Sequence, residues 1–301
     1  VTAVTTEERA RLIFSRVYGA AANLTRLPGV NNAVYRGEFS GQTRILKLVR
    51  PEKRAYLKRE LHVVRELARR SIPVVTVEHC VLDDPDVWPF AIMLDAGRTT
   101  LADFAQERSP RTVSAFENMG RLLAEIHQFS DAGTFAKWVP VRTDADYQLE
   151  SQQIRAWARE SGFLAEASLA SVDTLVDAVP DLAANHLCHN DFHALHCVTD
   201  NSRLTALIDW EEATLGNRVV DVAITQTNLD QYVCAENSQA FTDGYFTHSS
   251  IARSDVQVAT VLSAIRILQS IALGRVWHAR RKTAAVESAR KTAMRELERY
   301  N

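Results

Sequence analysis

Helical and strand-like hydrophobic periods alternate along the first part of the chain. From Glu7 to Ala22, Leu12, Ile13, Val17 and Ala20 recur at helical spacing behind a Thr-Thr-Glu-Glu start, which predicts an opening helix. The stretch Leu27 to Glu38, with Pro28-Gly29 and Asn31-Asn32 near its start, gives a turn and a strand. Thr43 to Val49 gives a second strand, which carries Lys47. Pro51 opens a long helix to about Arg70. Pro73 to Val77 and Pro89 to Leu94 read as two further strands around the Asp83-Asp84-Pro85-Asp86 turn. Asp95-Ala96-Gly97 then breaks the pattern before a helix at Thr100 to Gln106 and a strongly periodic one at Val113 to Phe129. Two more helical patterns fill 144–180, and the chain after Asp221 reads as largely helical to its end.

The helix after Pro51 separates two glutamates by geometry. Leu57, Leu61, Val64, Leu67 and Ala68 share one stripe, Glu60 falls within it, and Glu66 is expected to point away. A carboxylate on a core-facing stripe needs a partner, because stranding a buried charge costs about 3–5 kcal/mol. Lys47 on the preceding strand is the natural candidate; the alternative is a boundary glutamate reaching solvent.

Chemistry concentrates further along, in Leu187-Cys188-His189-Asn190-Asp191-Phe192-His193-Ala194-Leu195-His196 and in Leu207-Ile208-Asp209-Trp210-Glu211-Glu212. His196 to Thr199 and Leu204 to Ile208 flank the turn signal Asp200-Asn201-Ser202 and predict a β-hairpin. A hairpin returns its ends to one mouth, so His196 and Asp209 are expected there, with Asp191 on the loop leading in. Phosphoryl transfer needs an acid to orient and accept the proton of a hydroxyl, and oxygen ligands that hold a divalent cation on the phosphates. Asp191 and Asp209 suit those tasks, and the His196 imidazole is at hand as a nitrogen ligand.

These two blocks, His189-Asn190-Asp191-Phe192-His193-x-x-His196 and Ile208-Asp209-Trp210-Glu211-Glu212-Ala213-x-Leu215-Gly216-Asn217-x-Val219-Val220-Asp221, resemble the catalytic and metal-binding segments of small-molecule kinases of the aminoglycoside phosphotransferase and choline kinase type. The resemblance implies an α+β, protein-kinase-like two-lobed fold, with a small β-rich N-lobe over 1–95 and a larger, mainly helical C-lobe over 96–301. It implies ATP or GTP as phosphoryl donor, Mg²⁺ as cofactor, and Asp191 as the catalytic acid. Asp209 and His196 would hold metal, and Lys47, paired with Glu60, would reach the phosphates. The region around Asn31 and Asn32 would cover the phosphates, although a plain hairpin turn is an equal reading. The backbone of Met93, Leu94 and Ala96 would receive the base. His189 and Asp221 would support the catalytic loop, and His127 reads as structural.

Two positions depart from the family pattern. His196 stands where asparagine is usual, as it also does in macrolide kinases. Imidazole is a softer donor than an amide oxygen, so Mn²⁺ is expected to serve well and activity to fall as His196 takes up a proton. Asn190 replaces the usual glycine and either stiffens the loop or reaches a substrate. Glu211 and Glu212 beside the site would favour a cationic acceptor, and Asp144, Asp146, Glu150 and Glu160 could face one or simply be solvated helix charges.

Composition changes the picture little. The chain has 301 residues, 46% hydrophobic and 24% charged, with a formal charge of −2, which fits a globular protein with a substantial core. Arg44 to Arg70 holds ten Lys and Arg against three acids, and Arg275 to Asn301 holds eight against three. Most charges of the first run sit on an outward helix face and the tail is an Ala-rich helix, so both read as solvated helix faces and no nucleic-acid partner is expected; a lipid or nucleic-acid contact is the alternative for the tail. The four scattered cysteines read as reduced thiols. With no secretory start and an apolar window at Val256 to Leu273 broken by Arg266, Gln257 and Gln269, a cytoplasmic protein without a membrane partner is expected, as a monomer or homodimer.

Other chemistries fit less well. A metal cluster of His189, His193 and His196 with Cys188 or Cys197 matches no structural zinc spacing. The signatures of P-loop ATPases, α/β hydrolases and zincin proteases are absent. The reading is therefore a kinase that phosphorylates a hydroxyl of an antibiotic or related natural product. The alternative is a non-catalytic nucleotide- or partner-binding protein on the same fold.

Overall fold

The computed structural model describes residues 5–19, 23–28, 32–39, 41–84, 87–129, 132–162, 185–200 and 203–256, with 259–261, 263–264 and 291. Its contacts divide the chain into two compact units. The first comprises Val1–Thr99, Val198–Asp200 and Thr205–Glu212, and the second comprises Thr100–Cys197, Asn201–Leu204 and Ala213–Asn301. Together they make the two-lobed α+β architecture of protein kinases, one lobe built on a β-sheet and the other mostly helical.

The first unit opens with α1 (Thr6–Tyr18), started by a capping box in which Thr5 and Glu8 exchange bonds. A five-stranded antiparallel sheet follows, built from β1 (Leu24–Leu27), β2 (Ala33–Phe39), β3 (Gln42–Leu48), β4 (Val77–Val81) and β5 (Phe90–Leu94), in the order β1-β2-β3-β5-β4. Strand alternation sorts its faces. Tyr35, Leu46, Leu48, Phe90 and Ile92 pack with Ala10, Ile13 and Phe14 of α1. Val49 and Ala91 pack with Leu57 and Leu61 of α2 (Arg54–Arg69), which follows a short 3-10 turn at Pro51–Lys53. Lys47, lying between Leu46 and Leu48, therefore projects toward α2. The strand expected at Pro73 to Val77 is displaced to Val77–Val81. That strand lies at the sheet edge and leaves Glu78 and His79 exposed, so its sequence carries little hydrophobic signal. Val74 instead bridges to Leu207. Glu66 also differs from expectation: it is buried and paired with Arg69 and Arg70, whose aliphatic stems can cover a helix-face carboxylate.

The second unit replaces the expected helix at Thr100 to Gln106 with a single 3-10 turn, Leu101–Phe104. Its central helix α3 (Pro110–Ile126) starts from a Ser109 cap with proline in the first turn. A short α4 (Ala132–Phe135) and then α5 (Asp144–Glu160) follow; residues 163–180 and, apart from Lys291, the basic tail lie outside the described residues. Two short strands, β7 (His186–Cys188) and β10 (Thr214–Gly216), pair antiparallel and flank the loop that carries Asp191. The predicted hairpin is formed by β8 (Cys197–Asp200) and β9 (Arg203–Leu207), of which Val198–Asp200 and Thr205–Leu207 belong to the first unit; the two-residue strand β6 (Thr99–Thr100) pairs with β8, and Asn201 and Ser202 of the turn lie outside the described residues.

Helices α6 (Arg218–Tyr232) and α7 (Ala235–Thr247) follow in this unit. The crossing of α3 and α7 depends on two glycines. A Cβ on Gly120 would lie 2.0 Å from the Phe241 carbonyl oxygen, and one on Gly244 would lie 2.1 Å from that of Glu117. This close backbone approach brings Tyr245 of α7 against His127 at the end of α3. No helix among the described residues is long and apolar enough to cross a membrane.

Candidate functional site

In the first unit, three carboxylates converge on one ammonium. Lys47 Nζ lies 2.6 Å from Glu60 Oε2, 2.7 Å from Asp209 Oδ1 and 3.1 Å from Glu211 Oε2. Glu211 also accepts a 2.7 Å bond from Asn32 Nδ2. Lys47, Glu60 and Glu211 are 6%, 4% and 5% exposed, so these charges act on one another with little screening by water.

Local sequence explains the convergence. The alternation of β3 turns Lys47 toward α2, and helical periodicity puts Glu60 on the buried stripe with Leu57, Leu61 and Val64. Asp209 is delivered by the end of β9, where Leu207 N donates to Pro73 O at 2.8 Å. Past that anchor the chain enters the left-handed region at Asp209, φ 67°, which aspartate tolerates better than most residues. The next turn, Trp210–Glu212, is held by Arg59 donating to Glu211 O at 2.9 Å.

Burial acts to lower the basicity of Lys47, but Glu60, Asp209 and Glu211 outweigh it and hold the ammonium above its ordinary pKa. Glu60 moves upward as well, because burial and two neighbouring carboxylates outweigh its attraction to Lys47. Three acids around one cation leave oxygen donors in excess. Glu60, Asp209 and Glu211 offer donor atoms within 4.8 Å of one another, a set of hard oxygens that suits an ion such as Mg²⁺.

In the second unit the Asp191 loop is pinned from beneath. Asp221, in the first turn of α6, accepts bonds of 2.7 Å from both His189 N and Asn190 N. The same carboxylate lies 3.1 Å from His127 Nε2, and His127 Nδ1 lies 2.8 Å from the Tyr245 hydroxyl. Tyr245, His127 and Asp221 are completely buried, which makes every bond in this chain costly to lose. Burial alone would raise the Asp221 pKa, but the His127 bond, the charges of His127 and His189 and the His189 amide hold it below its ordinary value.

Asn190 has φ 63°, a left-handed conformation that asparagine adopts more readily than other side-chain-bearing residues, and its side chain donates to Thr214 Oγ1 at 3.0 Å. Asparagine can thus stand at a position where glycine would be ordinary. Of the two readings of Asn190, this placement favours the loop-stiffening one.

Asp191 follows, its amide donating to His189 Nδ1 at 3.3 Å. Its Oδ1 lies 3.5 Å from His193 Nε2 and its Oδ2 lies 3.7 Å from His196 Nδ1, while the latter nitrogen sits 2.9 Å from Asp191 O. The His193 and His196 rings are 3.9 Å apart between centroids. Burial pushes the Asp191 carboxyl upward, but the His193 bond and the charges of the three histidines dominate and hold it well below the usual carboxylate range. It is therefore an anion at neutral pH, able to accept a hydrogen bond from a hydroxyl.

The structure thus gathers Lys47, Glu60, Asp209 and Asn32 in one unit and Asp191, His189, Asn190, His196 and Asp221 in the other. Asn31 lies outside the described residues. Met93 and Leu94 are on β5, where Leu94 N donates to Thr76 O at 2.9 Å, and Ala96 O accepts from the Thr205 hydroxyl at 2.9 Å. Glu211 requires a correction: its carboxylate is buried against Lys47 and Asn32 and is not presented to a cationic acceptor, whereas Glu212 is exposed. Sequence reasoning missed His193 as a neighbour of the Asp191 carboxylate. Its signal was present, since it stands two residues beyond Asp191. It also missed Tyr245, whose place depends on a helix crossing that local periodicity does not encode. Cys188 and Cys197 join neither His193 nor His196 in a group of candidate ligands, and burial pushes both thiols upward, keeping them protonated.

Comparison with known proteins bears on this arrangement. A hygromycin-B 4-O-kinase of Escherichia coli is 26% identical over 174 residues, covering 55% of this chain and 50% of that enzyme, so the match spans about half the length of this curated relative. Among the solved structures that match the fold along nearly the whole chain, two serve as examples. The macrolide 2'-phosphotransferase MphH of Brachybacterium faecium has a TM-score of 0.66 at 16% identity, covering 93% of this chain and 97% of that one. The GDP and kanamycin complex of APH(2'')-IIIa has a TM-score of 0.71 at 12% identity, covering 99% and 100%. At these identities the structures speak for the fold alone. The model of the phosphotransferase enzyme family matches residues 23–257, most of the chain, and the protein belongs to that family.

Proposed function

We propose that the protein is a small-molecule O-kinase that transfers the γ-phosphoryl group of ATP or GTP to a hydroxyl of an antibiotic or related natural product. In this reading the N-lobe over 1–95 binds the nucleotide and the C-lobe over 96–301 carries the acceptor. Asp191 orients the acceptor hydroxyl and takes its proton as the new oxygen–phosphorus bond forms; the bond to the β-phosphate oxygen breaks and the nucleoside diphosphate leaves. Lys47, held by Glu60, neutralises phosphate oxygens. The Asn31-Asn32 segment covers the phosphates, and the backbone at Met93, Leu94 and Ala96 receives the base. Asp209 and His196 are the assigned metal ligands, and the ion, Mg²⁺ or Mn²⁺, supplies charge neutralisation on the phosphates. His189 and Asp221 keep the Asp191 loop in place. Catalysis of this kind is mainly positioning and electrostatic stabilisation.

The observation that carries this reading is the buried Lys47 between Glu60 and Asp209. A buried cation that faces more carboxylates than it can neutralise is a poor stability device, and it makes sense as a phosphate ligand that exchanges partners when nucleotide and metal arrive. The named activities of the relatives, on hygromycin B and on macrolides, together with the kanamycin bound by a third, suggest the acceptor class. The test is incubation with ATP or GTP, Mg²⁺ or Mn²⁺, and a panel of aminoglycosides and macrolides, followed by mass spectrometry. The expected result is an acceptor that gains one phosphate. Nucleotide binding without a phosphorylated product from any acceptor would instead establish a non-catalytic nucleotide-binding protein.

A further inference from the structure

We propose that Asp191, His193 and His196 form a site selective for a borderline transition ion such as Zn²⁺, which shares His196 with the assigned Mg²⁺ site, and that its occupation inhibits the enzyme. The inhibitory half of this proposal rests on the phosphotransferase reading above; the binding half does not. Each of these residues offers one donor atom, and the three atoms lie within 4.8 Å of one another. Bonds of about 2.0–2.1 Å in tetrahedral geometry place ligand atoms roughly 3.3–3.4 Å apart. Asp191 Oδ1 lies 3.5 Å from His193 Nε2, near that spacing, and Oδ2 lies 3.7 Å from His196 Nδ1, which would give up its 2.9 Å hydrogen bond to Asp191 O on binding the ion.

The chemistry of the donors separates this group from the one around Lys47. Glu60, Asp209 and Glu211 present only carboxylate oxygens, the preference of Mg²⁺, whereas two imidazoles and one carboxylate favour Zn²⁺, Co²⁺, Ni²⁺ or Cu²⁺. No cation side chain takes up the Asp191 carboxylate among its described ion pairs; its partners there are the two histidines. The group is also accessible, with His193 and His196 partly exposed and the Asp191 side chain 47% exposed. The remaining histidine-containing group, His127, Cys188 and Asp221, is fully buried, and both ring nitrogens of His127 are already engaged. Short chain spacing helps as well, since all three ligands come from one loop and the 3-10 turn Ala194–His196 that ends it. An ion held there would occupy the carboxylate that the proposed reaction needs free and would claim His196, so it would block proton acceptance and compete with the Mg²⁺ that His196 and Asp209 are assigned to hold.

The experiment uses untagged, metal-free protein without nucleotide. Zn²⁺ affinity is read by competition with a chromophoric chelator, and coordination is read from the visible absorption of the Co²⁺ form. One equivalent is expected to bind, with affinity falling at least about tenfold in His193→Ala, His193→Asn and His196→Ala. His79→Ala, which changes an exposed histidine of the first unit, should leave it unaltered. Circular dichroism of each variant establishes its fold, and the two His193 replacements guard against one of them failing to fold. Wild-type affinity in both His193 variants would overturn the site. Turnover with excess Mg²⁺ and nucleotide should then fall as one equivalent of Zn²⁺ is added, and turnover indifferent to bound Zn²⁺ would overturn the inhibitory role. Zn²⁺ binding in a protein that phosphorylates nothing would preserve the site and refute the kinase reading; phosphorylation without Zn²⁺ binding would do the reverse.

Discussion

Replacing Lys47 with methionine tests the charge arrangement around it, because removing the single cation and removing one of its three anions should have very different effects. Without Lys47, Glu60 and Glu211 remain buried beside Asp209 with no ammonium between them. Stranding a buried ion in this way costs about 3–5 kcal/mol. At roughly 2–4 °C per kcal/mol for a chain of this size, Lys47→Met should lower the melting temperature by about 6–20 °C at neutral pH. In Glu60→Gln, Lys47 keeps Asp209 and Glu211, and the amide oxygen still accepts a hydrogen bond, so the loss should be only about 1 kcal/mol.

The pH dependence has a definite sign. Burial raises the Glu60 pKa even with Lys47 present, and removing the ammonium raises it further. The folded Lys47→Met protein then binds a proton more tightly than its unfolded chain, whose glutamates titrate near about 4.3. Its deficit should therefore be largest at neutral pH and shrink as pH falls toward that value. Mg²⁺ should narrow the deficit too, by bridging the crowded oxygens. Circular dichroism melts of wild type and both variants, at about pH 7.5 and about pH 5.5 and with and without Mg²⁺, would read all three effects. Equal losses in Lys47→Met and Glu60→Gln, or a Lys47→Met deficit indifferent to pH, would refute the reasoning.

Three other expectations follow from the second unit. Tyr245→Phe removes the hydroxyl on His127 Nδ1 and leaves a buried ring nitrogen without that bond; urea titration should show a loss of about 1–3 kcal/mol, and turnover should fall as the loop above Asp221 loosens. Gly120→Ala or Gly244→Ala drives a methyl into a facing carbonyl, so either should cost about 1–3 kcal/mol or more, measured the same way. Because the Asp221 pKa is depressed in the folded protein, its stabilisation is present above the unfolded value near about 3.9 and is lost as pH falls below that. Acid titration followed by fluorescence should show this loss in wild type and a shallower dependence in Asp221→Asn.

Much of the arrangement was legible wherever chemistry and local geometry coincide. The Lys47–Glu60 pair followed from one strand alternation and one helical stripe, and the β8–β9 hairpin followed from its turn residues. Asp221 beneath the loop came only from the family resemblance, since a carboxylate in a helix's first turn looks like any capping acid until its partners are seen. Edge strand β4 was misplaced because Val77-Glu78-His79-Cys80-Val81, broken by a register shift between Val77 and His79, does not alternate as a half-buried strand should. Glu211 was read as acceptor-facing because its side chain turns inward at a 3-10 turn, where neither a period of 3.6 nor one of 2 applies. Glu66 was misread for a related reason: a helical wheel reports direction, and it does not show that Arg69 and Arg70 fold over an outward carboxylate. Tyr245 against His127 depends on two glycines in separate helices meeting at one crossing, a tertiary coincidence with no local signature.

The division of labour between Asp191 and the Lys47 cluster is tested most directly by Asp191→Ala, with nucleotide affinity and phosphoryl transfer measured on the same preparation. The account predicts nucleotide affinity equal to wild type and turnover reduced by about 10²–10⁴-fold, the usual worth of a positioned proton acceptor. Undiminished phosphoryl transfer in Asp191→Ala would contradict it.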